Sequence, residues 1–134
     1  MFERINHVGI AVADVDEALE LYERQFGVEL LHRELLDGGT LDAALLGAGE
    51  DRLELVASRA PDSPLGRFLA KRGPGLHHIA YEVDDIEDAI STLRARAVKM
   101  VDESPRPGIH GTQVAFLYPS SCLGVLTELV QPAS

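Results

Sequence analysis

Basic residues are scarce in this sequence: 12 lysines and arginines stand against 22 aspartates and glutamates, giving a formal net charge of −10 and a pI near 4.8. A nucleic-acid footprint needs a basic face, so that class of partner is excluded. The same balance disfavours anionic ligands unless a local patch or a metal ion reverses the field. Cysteine is nearly absent. Cys122 alone cannot close an internal disulfide, and no helix start or basic neighbour marks it as a low-pKa nucleophile, so it reads as a packing residue. Long apolar runs are missing too: Val8 to Val12 and Val125 to Val130 fall far short of the roughly 20 residues needed to cross a bilayer. The start, Met1-Phe2-Glu3-Arg4, shows no basic segment followed by an apolar one, as a signal peptide would. A cytoplasmic protein without a membrane span is expected.

What remains is ordinary globular material, 46% hydrophobic and 25% charged over 134 residues, enough to bury the core of one compact domain. Its most informative feature is internal repetition. The segment from His7 to Leu19 aligns without gaps with that from His78 to Ile90, and Arg52-Leu53-Glu54-Leu55-Val56 resembles Leu126-Thr127-Glu128-Leu129-Val130 in the same order. Two copies of one module follow.

Each copy opens on a strand rich in β-branched and small residues, Ile5 to Val12 and Leu76 to Val83. A helix is predicted after each. Asp14 with Glu17 forms a capping box and Gly27 supplies the left-handed end, so the first helix runs from about Val15 to Phe26 with Val15, Ala18, Leu19, Tyr22 and Phe26 on its apolar face. Asp85 caps the second, which buries Ile86, Ala89, Ile90 and Leu93. Further strands are expected at Glu29 to Leu35, Thr40 to Leu46 and Arg52 to Val56, then at Val98 to Val101, Gln113 to Tyr118 and Val125 to Val130. The fold class is α+β, a single domain over 1–134. Module 1 (1–58) and module 2 (75–134) are each β-α-β-β-β, and a linker helix (59–74) opens at Ser63-Pro64 and closes at Arg72-Gly73.

Side chains alternate across a strand, so His7 shares a face with small Gly9 and Ala11 while Val8, Ile10 and Val12 face the helices; His78 likewise sits with Ala80 and Glu82. Glu54 and Glu128 interrupt apolar strands, where a carboxylate is costly unless paired, hydrogen-bonded or bound to a metal. If the modules pair about a pseudo-twofold axis, two imidazoles and two carboxylates meet. His7, Glu54, His78 and Glu128 then suit a six-coordinate divalent ion, and Co, Mn, Mg, Ni and Zn all accept such ligands.

Several stretches carry a family resemblance: Asn6-His7-Val8-Gly9-Ile10-Ala11-Val12, Gly75-Leu76-His77-His78-Ile79-Ala80, Asp84-Asp85-Ile86, Val114-Ala115-Phe116-Leu117 with Pro119, and the run from Gly124 to Val130. Over essentially its whole length the chain resembles the vicinal-oxygen-chelate superfamily, and within it the methylmalonyl-CoA epimerases. That resemblance implies an eight-stranded, U-shaped incomplete barrel around a metal cavity, the same four ligands, an acyl-CoA substrate and a homodimer. The implied activity is epimerisation of methylmalonyl-CoA: the proton alpha to the thioester leaves one face and returns on the other through an enolate that the metal stabilises. The implied bases are Glu128 and, in Gly39-Thr40-Leu41-Asp42, Asp42 in place of the family's glutamate.

There are departures. Asp37-Gly38-Gly39 replaces Glu-Gln-Gly, and Ser120-Ser121 stands where a lysine is common. Lys71, Arg72 and Arg106 are the remaining basic candidates for phosphates, His110 lies in a glycine-flanked loop, and His77 points away from the ligand face. The competing readings are a glyoxalase-type enzyme acting on a glutathione adduct, a metal-free drug-binding protein and an extradiol dioxygenase. The extra carboxylate Glu54 counts against the last.

Overall fold

The computed structural model describes residues 1–134, apart from the side chain of Ala48. Its elements in chain order are β1 (Arg4–Ala11), α1 (Val15–Phe26), β2 (Glu29–Leu36), β3 (Leu41–Ala48), β4 (Asp51–Ser58), α2 (Pro64–Arg72), β5 (Gly75–Glu82), α3 (Ile86–Ala95), β6 (Arg106–Pro107), β7 (Gln113–Leu117) and β8 (Thr127–Gln131). Eight strands and three helices make an α+β fold, as expected. The chain forms two compact units, one of Val8–His77 and one of Met1–His7 with His78–Ser134.

In the Val8–His77 unit the strand order is β2-β3-β4-β1, with β1 parallel to β4 and the other neighbours antiparallel. Helix α1 begins as its sequence dictates: the Asp14 side chain accepts from the Glu17 amide at 3.1 Å, and Gly27 ends the helix at φ 65°. Val12, Val15, Ala44, Leu46, Leu55 and Ala57 form the buried layer beneath it, joined by Ala18, Leu19 and Tyr22. Phe26 departs from expectation. As the last helical residue it is 65% exposed, with its ring 5.6 Å from that of Tyr22. Helix α2 opens on Ser63, whose hydroxyl accepts from the Gly66 amide at 3.0 Å, with Pro64 at its first position.

In the other unit the order is β1-β5-β8-β7-β6, with β5 parallel to β8. Ile86, Ala89, Ile90 and Leu93 of α3 pack on Val83, Ala115, Leu117 and Leu129, and Cys122 lies half-buried against this layer. The sixth strand is not where the sequence suggested. Residues 98–101 contribute only the bridge Met100↔Leu117, because the Asp102 carboxylate takes the Phe116 amide at 2.9 Å, and the regular pairing resumes at Arg106↔Val114. The last strand also begins later than expected. The turn through Pro119–Cys122 returns at Leu123 and Gly124, both with positive φ, so β8 starts at Thr127.

The repeat is visible in the pairing itself. Gly9 pairs with Glu54 in one unit and Ala80 with Glu128 in the other. Each ladder is extended by an equivalent backbone bond, Val12 N–H to Val56 C=O at 2.9 Å and Val83 N–H to Val130 C=O at 2.8 Å. The duplicated sequence therefore folds into duplicated registers, which place a buried carboxylate beside the small-residue positions of β1 and β5.

Candidate metal centre

Strand alternation decides which side each polar residue takes. Leu129 faces α3, so Glu128 projects from the opposite side of β8, beside the apolar cluster of Ala80, Val114 and Val130. Its cross-strand partner there is Phe116. Two imidazoles complete the arrangement. The Nε2 atoms of His7 and His78 lie 3.0 Å apart, and Glu128 Oε1 is 3.0 Å from the first and 3.5 Å from the second. All three side chains are almost completely buried, at 3%, 4% and 5% exposure. A His-Glu-His cluster able to hold a cation is thus present among the described residues.

The rings are held from outside. His7 Nδ1 meets Asn6 Oδ1 at 2.8 Å, and the Asn6 amide donates onward to Glu82 at 3.0 Å. Phe116 sets its edge against His78, with ring centroids 5.4 Å apart at 81°. Arg106 covers the Phe116 ring, its guanidinium carbon 5.4 Å from the ring centroid, and donates to Asp102 at 3.1 Å. Burial works to raise the Glu128 pKa, but the adjacent imidazoles of His7 and His78 outweigh it and lower the pKa to about 2. The carboxylate is therefore ionised at neutral pH.

These residues fit a divalent ion. Two imidazole nitrogens and a carboxylate oxygen converge from three strands, and Glu128 Oε1 is buried with no hydrogen-bond donor aligned to it. A buried carboxylate oxygen without an aligned donor is costly, and a bound cation offsets that cost. Mixed imidazole and carboxylate donors suit Zn, Mn, Co, Ni or Mg.

The remaining candidates fall as follows. Glu54, 7% exposed, projects from β4 on the side away from α1, the repeat counterpart of Glu128. Asp42 takes the opposite side. It pairs across the ladder with Ala57 of the α1 layer, and Arg33 grips it at 3.2 and 2.9 Å while also donating to Asp16 of α1 at 2.6 Å. Asp42 and Glu54 therefore lie on opposite sides of the β3–β4 ladder, Asp42 on the side of α1. His77 packs edge-on against Phe68, over which Arg72 lies. Lys71 and Arg72 are exposed on the last turn of α2, and His110 is an exposed residue at φ 59°.

Sequence reasoning missed Asn6, Arg33 and the packing of Phe116 on His78. A signal for Asn6 existed: it is a polar residue inside an apolar strand, the feature that drew attention to Glu54 and Glu128.

The chain is similar to proteins of known family. Residues 6–116 match the Glyoxalase/Bleomycin resistance protein/Dioxygenase superfamily. A mitochondrial methylmalonyl-CoA epimerase of Bos taurus is 36% identical over 96% of this chain and 74% of its own length. An ethylmalonyl-CoA/methylmalonyl-CoA epimerase of Cereibacter sphaeroides is 33% identical over 98% of this chain and 99% of its own. The structure of a Streptomyces coelicolor methylmalonyl-CoA epimerase variant in complex with 2-nitronate-propionyl-CoA superposes with a TM-score of 0.95 at 36% identity, covering 100% of this chain and 97% of that one.

Proposed function

The chain belongs to the Glyoxalase/Bleomycin resistance protein/Dioxygenase superfamily, and we propose that it is a metal-dependent epimerase of methylmalonyl-CoA. The observation that carries the proposal is the convergence of His7 Nε2, His78 Nε2 and Glu128 Oε1 in a buried, apolar setting. The proposed ligand set is His7, Glu54, His78 and Glu128. Glu54 joins it because the pairing Gly9↔Glu54 repeats Ala80↔Glu128, which also supports the division into module 1 (1–58), linker (59–74) and module 2 (75–134) within one domain.

A divalent ion held there supplies Lewis-acid stabilisation of the negative charge that develops on the thioester oxygen when the α-proton leaves. The chain's own residues do the rest. Glu128, ionised at neutral pH, takes the proton from one face of the carbon, and the apolar surround of Ala80, Val114 and Val130 excludes water that would compete for it. Return of a proton on the other face needs a second carrier. Asp42, gripped by Arg33 on the α1 side, is assigned a structural role instead.

The test is to load the purified protein with Mn(II) or Co(II), add one epimer of methylmalonyl-CoA in deuterated water, and follow α-deuteration together with loss of chirality. Exchange that Glu128→Ala abolishes is expected. Metal-loaded wild type without exchange overturns the proposal, and turnover of a glutathione hemithioacetal in its place would establish the glyoxalase-type reading. A homodimer in the cytoplasm completes the proposed description, to be checked by sedimentation and fractionation. Exposed Phe2 and Ile5 support assembly, and among the described residues no helix is long and apolar enough to cross a membrane.

A further inference from the structure

Two imidazole nitrogens can bind a metal only if both present lone pairs, and a neutral imidazole has one lone pair and one N–H. Which nitrogen of His7 carries its proton follows from the groups behind it. The Glu82 carboxylate, at the end of β5 and 3.7 Å from the Arg4 guanidinium, offers Asn6 only acceptor oxygens. The group of Asn6 facing Glu82 at 3.0 Å must therefore be the amide nitrogen. This orientation turns Asn6 Oδ1 toward His7, 2.8 Å from Nδ1. An amide oxygen cannot donate, so the proton of that bond belongs to Nδ1 and the lone pair is left on Nε2, the atom aimed at His78 and Glu128.

We propose that Asn6, oriented by Glu82, is a positioning residue that fixes His7 as the Nδ1–H tautomer and thereby presents Nε2 to the metal. The purpose of the lock rests on the metal reading above, whereas its existence does not. Asn6 is 8% exposed, so bulk water does not set the tautomer for it. The device is specific to the first imidazole. The residue at the repeat-equivalent position of Asn6 is His77, whose ring packs on Phe68, so the second copy orients its ligand by other means.

The test begins with metal-free protein and long-range proton–nitrogen correlation of the histidine rings. Wild type should show His7 as Nδ1–H. Asn6→Asp, which keeps an acceptor at that place, should preserve the signal. Asn6→Leu, of similar size but without an acceptor, should lose it while leaving the His78 pattern in place. Titration with Mn(II) or Co(II) should then show a 10- to 100-fold weaker affinity for Asn6→Leu, with Asn6→Asp within about 3-fold of wild type. The Co(II) absorption spectrum gives a second readout that a purely structural role would not shift.

Should Asn6→Leu fail to fold, Glu82→Gln tests the same chain of bonds, since a carboxamide no longer dictates the Asn6 orientation. It is expected to give a mixture of His7 tautomers. An Nε2–H signal for His7 in wild type, or folded Asn6→Leu with unchanged tautomer and affinity, overturns the lock. Wild type that shows the expected tautomer and binds no metal overturns the proposed function and leaves the lock established.

Discussion

Asp42→Asn separates two accounts of the same residue by kinetics and stability together. A residue serving as the second base would lose two to four orders of magnitude in turnover when its carboxylate becomes an amide, with little change in folding. The structure predicts the reverse. Asp42 is 18% exposed and receives two hydrogen bonds from Arg33, which is 33% exposed and ties Asp16 of α1 to the same network. A two-pronged arginine–carboxylate contact that is partly screened by solvent contributes about 1 kcal/mol. For a chain of this length the unfolding entropy is about 280 cal/mol/K, so that loss lowers the melting temperature by about 3 to 4 °C.

The assay is a calorimetric melt of metal-loaded Asp42→Asn beside its rate of α-proton exchange. Expected are the few-degree drop and a rate within about 3-fold of wild type. Arg33→Gln should reproduce the drop, and the double variant should fall by less than the sum of the two singles, because both remove one contact. Wild-type stability with a hundredfold slower exchange would refute the reasoning and restore Asp42 as a base.

Three further outcomes follow from other parts of the molecule. The Glu128 pKa is depressed in the folded state, so its contribution to metal-free stability is present above the unfolded value near 4.5 and lost as pH falls toward about 2. Acid titration by circular dichroism should therefore be shallower over that range for Glu128→Gln than for wild type, and identical curves would contradict the depression. Ala97, just beyond α3, holds φ 61°, a conformation that costs a side-chain-bearing residue about 1 kcal/mol, so Ala97→Gly should raise the urea midpoint. Glu54→Gln should weaken Mn(II) binding while retaining measurable exchange, whereas Glu128→Gln should abolish exchange even at saturating metal, since only Glu128 is assigned the proton.

What was legible in the sequence was whatever local chemistry or repetition records. Asp14 and Ser63 announce helix starts by their own side chains, and Gly27 announces an end, so α1 and α2 were placed almost to the residue. The four proposed ligands could be selected because duplication writes each signal twice. One buried glutamate in a strand is ambiguous, whereas Glu54 and Glu128 stand at matching places of the repeat, and the registers Gly9↔Glu54 and Ala80↔Glu128 are equivalent in three dimensions. Residues 98–101 misled for a physical reason. Their composition suits a strand, yet the Asp102 side chain takes the hydrogen bond a ladder would have used.

Asp42 marks the limit of reading by motif spacing. Counting from Gly39 places a carboxylate where an epimerase would have one, but a strand's function depends on the parity of position as well as distance along the chain. A shift of one residue exchanges one side of a ladder for the other. The pairing Asp42↔Ala57, next to Ala43↔Val56 and two steps from Ala44↔Leu55, assigns Asp42 to the layer beneath α1, where Arg33 is waiting for it. Parity there is set by Leu45↔Glu54 and by the core contacts of Ala44 and Leu46, long-range pairings that no local pattern contains. The two proposed carboxylate ligands escaped this ambiguity because their parity was written into the larger apolar residues beside them, Leu53 and Leu55 around Glu54 and Leu129 after Glu128. Asp42 also has apolar neighbours, Leu41 and Ala43, but the alanines that follow it, Ala43 and Ala44, are both small and both buried, so its flanks do not tell one side of the strand from the other.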